Sequence, residues 1–299
     1  VLVEEVGAFP LILLGENIES MCQNGALMEE RAIPGAYSSA CMNLSERIVP
    51  LPKLTERNKK DGTIVITQQA GGSGQTGKTL WNSGLLLSRL LDELVEKLLV
   101  LPESRSFWSN QSIIELGCGT ALGSITAHKL GAKKVLATDG NLEVVNLAKM
   151  NIDLNVPSGN DSVESIEARP LQWGLLDAMD YCESASLVLG ADLTYNAGSW
   201  RVLAETMATV LTLDGNVLYI SLGHEGFNVN AEMDGFLSVA KAVGLIQTPD
   251  LNGVDVSQLL QNSLTNAEKK ILEQSGGARV IILKRRPTLS KAETQKSEQ

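Results

Sequence analysis

Apolar residues recur at helical spacing from Leu80 to Val100, through Trp81, Leu85, Leu86, Leu90, Leu91, Leu94, Val95 and Leu98, and predict a long amphipathic helix whose stripe faces a core. Upstream the period changes. Thr63 to Thr67 is β-branched throughout and reads as a strand, and Gly71, Gly72, Gly74 and Gly77 then form a loop. Downstream, short apolar runs between polar breaks predict two strands within residues 113–139, then strands near Ser165 to Ala168, from Leu187 to Ala191, from Asn216 to Leu222 and from Arg279 to Leu283. Helical patterns separate them near Asn141 to Leu154, Ser199 to Leu213 and Ala231 to Val243. Strands alternating with helices predict an α/β domain built on a mostly parallel sheet with helices on both faces, placed over residues 61–286. Residues 1–60, with Pro34, Pro50, Pro52 and the basic cluster Arg57, Lys59 and Lys60, read as an N-terminal extension, and residues 287–299 as a polar, disordered tail.

Residues 113–139 carry the densest signal. A strand, a turn with Gly117, Gly119 and Gly123, a helix, and a second strand ending in Asp139 follow one another in the order of the nucleotide-cradling half of a Rossmann-like sheet. The glycines let the backbone approach a ligand, the helix start offers free amides, and Asp139 stands where a carboxylate accepts hydrogen bonds from both ribose hydroxyls. Glu115 decides between ligands. A pyrophosphate needs the helix start clear of anions, whereas a carboxylate just ahead of the glycines suits a ligand that bears an amino group.

Composition narrows the field further. A net charge of −10 argues against a nucleic-acid binder and favours a basic protein or peptide as partner. Cys22, Cys41, Cys118 and Cys182 are widely spaced and the chain has only two histidines, so no metal site or disulfide framework is expected, and a reducing, cytoplasmic setting is. The apolar run from Val6 to Leu14 is too short to span a bilayer, so no membrane association is expected. A monomer is the expectation.

The segment from Glu115 to Gly119, Glu-Leu-Gly-Cys-Gly, resembles the first motif of seven-strand methyltransferases that use S-adenosylmethionine. Three further pieces resemble the lysine methyltransferases called family 16: Gln69, Gly77 and Trp81 leading into the Leu85 to Leu87 run, Leu171-Gln-Trp173-Gly174, and Leu187 to Ala191 continuing into Asp192-Leu-Thr-Tyr195. The resemblance covers about residues 63–285 and implies a seven-stranded Rossmann-like sheet. It also implies that Trp81 lines the methionine end of the cofactor pocket and that Trp173 borders the adenine. Asn141 and Ala191 join Glu115, Gly117, Gly119 and Asp139 as expected cofactor-binding residues. Asp192 and Tyr195, at a strand end beside the ligand crevice, are the expected catalytic pair. Asp192-Leu-Thr-Tyr195 lacks the Pro-Pro step of enzymes that methylate nucleobase or glutamine amines, which counts against a DNA, RNA or release-factor target, and the resemblance implies a protein lysine as acceptor. A small molecule or an N-terminal amine is the alternative. His224-Glu-Gly replaces the family's frequent arginine-containing step, and His128, inside the first helix, is read as structural.

A reading of another class competes for the same chain. Gly72-Ser-Gly-Gln-Thr-Gly77-Lys78-Thr79 matches the P-loop pattern in full, in which Lys78 would reach terminal phosphates, Thr79 would hold magnesium and Asp192 would serve as the Walker-B acid. Gln68, Gln69 and Ala70 between the strand and the first glycine count against it, because a P-loop leaves its strand almost directly.

Overall fold

The computed structural model describes residues 45–58, 62–69, 76–99, 107–156, 165–223, 228–274 and 276–286. Seven strands form one sheet in the order β5-β4-β3-β6-β7-β9-β8: β3 (Ser112–Leu116), β4 (Lys134–Asp139), β5 (Ser165–Pro170), β6 (Ala185–Ala191), β7 (Leu211–Leu222), β8 (Leu245–Thr248) and β9 (Ala278–Arg285). Within it β9 alone runs against the others. The strand pattern follows from burial on both faces. Ile113, Leu187, Leu218 and Ile282 point into one apolar cluster, and their neighbours Ile114, Val188, Val217 and Ile281 into the other, so these strands carry consecutive apolar residues.

Helices cover both faces. The first cluster holds residues of α2 (Asn82–Leu99), α3 (Leu122–Lys129), α4 (Leu142–Asn155) and α8 (Val256–Ser263). The second holds residues of the short α5 (Leu175–Ala178), α6 (Trp200–Val210) and α7 (Val229–Ala242). The remaining helix, α9 (Asn266–Gln274), precedes β9. In α2 the apolar stripe widens almost to the full circumference: Leu86, Leu87, Leu90, Leu91 and Leu94 are fully buried, each burial stabilising by roughly 1.5–3 kcal/mol. Even its polar residues are enclosed. Ser88 bonds the Thr126 hydroxyl of α3 at 2.6 Å, and Asp92 accepts from the Lys53 and Leu54 amides at the start of α1 (Pro52–Asn58).

Several boundaries move from the expected ones. The long helix begins at Asn82, leaving Trp81 just ahead of it, and α6 ends at Val210, where the chain passes directly into β7. Leu213, expected in the helix, is therefore a strand residue. Residues 45–58, within the expected extension, form β1 (Glu46–Val49) and α1 and pack on the domain, whereas residues 1–44, 224–227 (with His224) and the tail lie outside the described residues. His128 sits in the last turn of α3, at the far end from the glycine turn.

The strand over Ile64–Thr67, β2, lies outside the sheet and pairs antiparallel with β1. Its other edge is held by side chains of α4. Asn151 accepts from the Thr67 amide at 2.8 Å and donates to the Thr67 carbonyl at 3.0 Å, and Asn155 does the same for Val65 at 2.8 and 2.7 Å. One helical turn of four residues advances about 6 Å and two strand residues about 6.6 Å, so successive asparagines meet successive outward-facing peptide groups. Asn151 also donates to the Thr120 carbonyl at 3.0 Å and so ties the ribbon to the glycine turn.

Candidate active site

The parallel strands β5, β4, β3, β6 and β7 bring their carboxyl ends to one rim of the sheet, and β3 is flanked by β4 on one side and β6 on the other. The crevice between such neighbours is where α/β sheets bind ligands. The glycine turn leaves β3 there, Asp139 ends β4, and Ala191 ends β6 with Asp192 directly after it.

Glu115 lies beneath the turn. Its carboxylate is buried and one oxygen accepts from both the amide (2.7 Å) and the hydroxyl (2.5 Å) of Ser124. Ala121, the residue at the N-cap of α3, has no side chain that can accept, so Glu115 supplies the cap from the neighbouring strand. The expected ligand-facing carboxylate is thus engaged by the protein itself. Burial pushes its pKa up to about 7 against the Ser124 hydrogen bonds, and the Asp139 charge adds to the rise. A carboxyl raised from 4.5 to about 7 on folding favours the folded state most below pH 4.5, and that stability is lost as pH rises through 7. The full difference is about 3 kcal/mol. Denaturant titrations across pH 4.5–8 are expected to show this loss in the wild type and a flatter profile in Glu115→Gln, whose amide oxygen still accepts from Ser124.

Two glycines are fixed by what touches them. Gly117 has φ +58°, and a Cβ there would lie 2.5 Å from Leu193 Cδ2 of the loop after β6. At Gly123 a Cβ would lie 2.5 Å from Glu115 Oε1 and 3.2 Å from Leu87 Cδ2. Alanine within a helix ordinarily gains up to ~1 kcal/mol over glycine, but here it displaces a buried carboxylate from both of its donors. Gly123→Ala is expected to lower stability by about 2 kcal/mol, read from the midpoint of chemical unfolding.

Asp139 is half-buried at the end of β4. It accepts from the Asn141 amide at 2.9 Å and, at 3.4 Å, from the Gly119 amide, and burial raises its pKa. Asn141 is the N-cap of α4, its side chain accepting from the Glu143 amide. Trp173 reaches the turn, its Cζ2 3.4 Å from the position of a Cβ on Gly117. Trp81 braces the neighbouring turn. Its indole donates to the Thr76 carbonyl at 2.7 Å, and the Thr76–Lys78 turn that it holds rests on the cradle, with the Gly77 carbonyl 3.2 Å from a Cβ position on Gly119.

Asp192 has a left-handed backbone, φ +57°, and its carboxylate accepts at 3.4 Å from both the Ser221 hydroxyl and the Leu222 amide. Tyr195, two residues beyond the buried Leu193, is 60% exposed. Two neighbours of the site carried no motif signal of their own. Leu193 packs on Gly117, and Gln172 lays its side chain over Gly140, donating to its carbonyl at 2.7 Å. Both stood between motif residues, in Asp-x-x-Tyr and Leu-x-Trp-Gly, where the pattern leaves the position open.

Residues 72–75 of the P-loop segment lie outside the described residues, and its described part, Thr76 to Thr79, is engaged elsewhere. β2 is a ribbon strand, Lys78 is paired with Glu143 at 2.5 Å, and the Thr79 hydroxyl donates to the Gln69 carbonyl at 2.8 Å. A Cβ on Gly77 would stand 3.7 Å from the Asp139 carboxylate, an unfavourable neighbour for a phosphate. Among the described residues no cluster of potential ligands could hold a metal ion, and no helix is long and apolar enough to cross a membrane.

Several known proteins are similar to this chain in sequence. A protein N-terminal and lysine N-methyltransferase of Candida glabrata is 26% identical over 199 residues, 64% of this chain and 72% of that protein. A protein-lysine N-methyltransferase of Chaetomium thermophilum is 30% identical over 185 residues, 60% of this chain and 51% of that protein. A protein N-lysine methyltransferase of Xenopus tropicalis is 36% identical over 97 residues, 32% of this chain and 42% of that protein. The chain thus spans about half the length or less of the latter two. A family model described as lysine methyltransferase matches residues 58–229, more than half of the chain and all of the motifs above. This protein therefore belongs to the lysine methyltransferase family.

Proposed function

We propose that the protein transfers the methyl group of S-adenosylmethionine to the side-chain amine of a lysine in a protein substrate. The observation that carries this reading is the contact of Leu193 with Gly117: the loop of Asp192 and Tyr195 is packed directly on the glycine turn, so an acceptor held by the one meets a donor held by the other. The residues fit the donor. In this reading Asp139 accepts from the ribose hydroxyls, Gly117 and Gly119 let the donor approach the backbone, and the base lies beside Trp173, which reaches Gly117, and Gln172, which donates to the Gly140 carbonyl.

S-adenosylmethionine, when bound, supplies a methyl activated by its sulfonium. What the chain must do is align the acceptor and help it lose a proton. At neutral pH a lysine amine is deprotonated at a cost of about 5 kcal/mol from its ordinary pKa. A carboxylate opposes that loss, so the role of Asp192 is to attract and orient the ammonium, while desolvation and the nearby sulfonium charge favour the neutral amine. The aromatic face of Tyr195 suits an alkylammonium at the mouth. An acidic chain, with net charge −10, suits a basic protein as partner.

A second reading has the relative from Candida glabrata in its favour, since that protein is named for N-terminal as well as lysine methylation. An α-amine, with its lower pKa, costs only about 1 kcal/mol to deprotonate. One experiment separates the readings. Tritiated S-adenosylmethionine is incubated with the protein and cell extract, and the labelled residue is mapped. Label on a lysine ε-amine supports the proposal, label on an N-terminus selects the second reading, and calorimetric binding of ATP but not of S-adenosylhomocysteine overturns both.

A further inference from the structure

Under the Asp192–Tyr195 turn a buried chain of hydrogen bonds joins Thr194 of that motif to Tyr219, Ser221 and Glu232, which lie outside every motif. Tyr219 on β7 is fully buried, and its hydroxyl oxygen accepts from the amides of Leu193 (2.6 Å) and Thr194 (3.0 Å). A phenol has one proton to give, and with both backbone donors pointing at its oxygen that proton goes to the Thr194 hydroxyl oxygen, 2.9 Å away. The proton of Thr194 then goes to Glu232 on α7. The same Glu232 oxygen lies 3.2 Å from the Ser221 hydroxyl, which is 3.4 Å from the Asp192 carboxylate. A carboxylate accepts without donating, so Glu232 sets the direction of the whole chain, from Tyr219 through Thr194 to α7. Burial, with the Asp192 charge, raises the Tyr219 pKa, so the phenol keeps its proton.

The turn needs such support. A non-glycine residue at φ +57° costs on the order of 1 kcal/mol and persists only where the surroundings over-determine it. Thr194 is gripped from a second direction by the Trp200 indole, which donates to its carbonyl at 2.6 Å.

We infer that Glu232 is a positioning residue for methyl transfer: by accepting from Thr194 it holds the turn that carries Asp192 in the geometry that receives the cationic acceptor. This rests on the proposed reading of Asp192. The test compares two ligands by calorimetry. S-adenosylhomocysteine fills the donor cradle, whereas sinefungin carries an amine where the transferable methyl stands, so the ratio of the two affinities reports on the acceptor side. Glu232→Ala is expected to weaken sinefungin about tenfold while S-adenosylhomocysteine stays within about threefold, one hydrogen-bonded charge contact being worth this much. Thr194→Val, which removes the same donor with little change of shape, is expected to behave alike and serves if Glu232→Ala does not fold. Glu232→Gln, which keeps an accepting oxygen, and Thr194→Ser, which keeps the hydroxyl, are expected to hold the wild-type ratio. An unchanged ratio in both disruptive variants overturns the inference alone, as does a Glu232→Gln ratio that falls as far as Glu232→Ala. If the wild type binds neither ligand, the cofactor reading falls and the inference with it.

Discussion

Asp139→Ala is expected to weaken S-adenosylhomocysteine at least 100-fold in calorimetry. A carboxylate accepting from two ribose hydroxyls contributes roughly 1.5–3 kcal/mol per bond, and the half-buried setting of Asp139 keeps those bonds from being screened by water. A second loss adds to the first. The same carboxylate now engages the amides of Asn141 and Gly119, so its removal loosens the entry to α4 and the glycine turn together. Asp139→Asn separates the two effects, because an amide oxygen still accepts but carries no charge, and it is expected to fall between alanine and the wild type. An Asp139→Ala protein that binds within threefold of the wild type sinks the ribose assignment.

Asp192→Asn is expected to lower methyl transfer, measured as tritium incorporated into protein of a cell extract, by about 100- to 1000-fold while S-adenosylhomocysteine affinity stays within threefold. Opposite charges 4 Å apart at an effective dielectric constant of about 20 attract by about 4 kcal/mol, which sets the scale of what the neutral amide forfeits. Asparagine is the informative replacement. It tolerates the left-handed backbone nearly as well as aspartate, whereas alanine would add strain and confuse loss of charge with loss of shape. Transfer that persists within tenfold in Asp192→Asn would remove the acid from the acceptor site.

How far the sequence alone reached depended on the kind of contact. The strands β3, β4 and β6 were legible because both faces of each are buried, which forces an apolar run that no surface segment imitates. β8 was not, since it is a four-residue edge strand with the polar pair Gln247 and Thr248. The end of α6 was also hidden: Val210 and Leu211 are both buried and no glycine or proline marks the change of period between them. At the site, Gly117, Asp139 and Asp192 announced themselves because backbone approach and strand-end acids leave local signatures. The cap that Glu115 supplies to α3 left a fainter one, the absence of any capping side chain at Ala121. Glu232 left none, as its partner Thr194 is 38 residues away and only the fold brings them together.

The asparagine pair of α4 moves a constraint from one part of the chain to another. Every bond that Asn151 and Asn155 make to β2 ends on a peptide group, so these contacts place no demand on which side chains Val65 and Thr67 carry. The helix bears the demand instead. Aspartate, leucine or serine at either position lacks the paired donor and acceptor on one planar group, and an aspartate would also set a carboxylate against a carbonyl. A strand in this ribbon can drift in sequence and stay in place, provided that two residues some ninety positions downstream do not change.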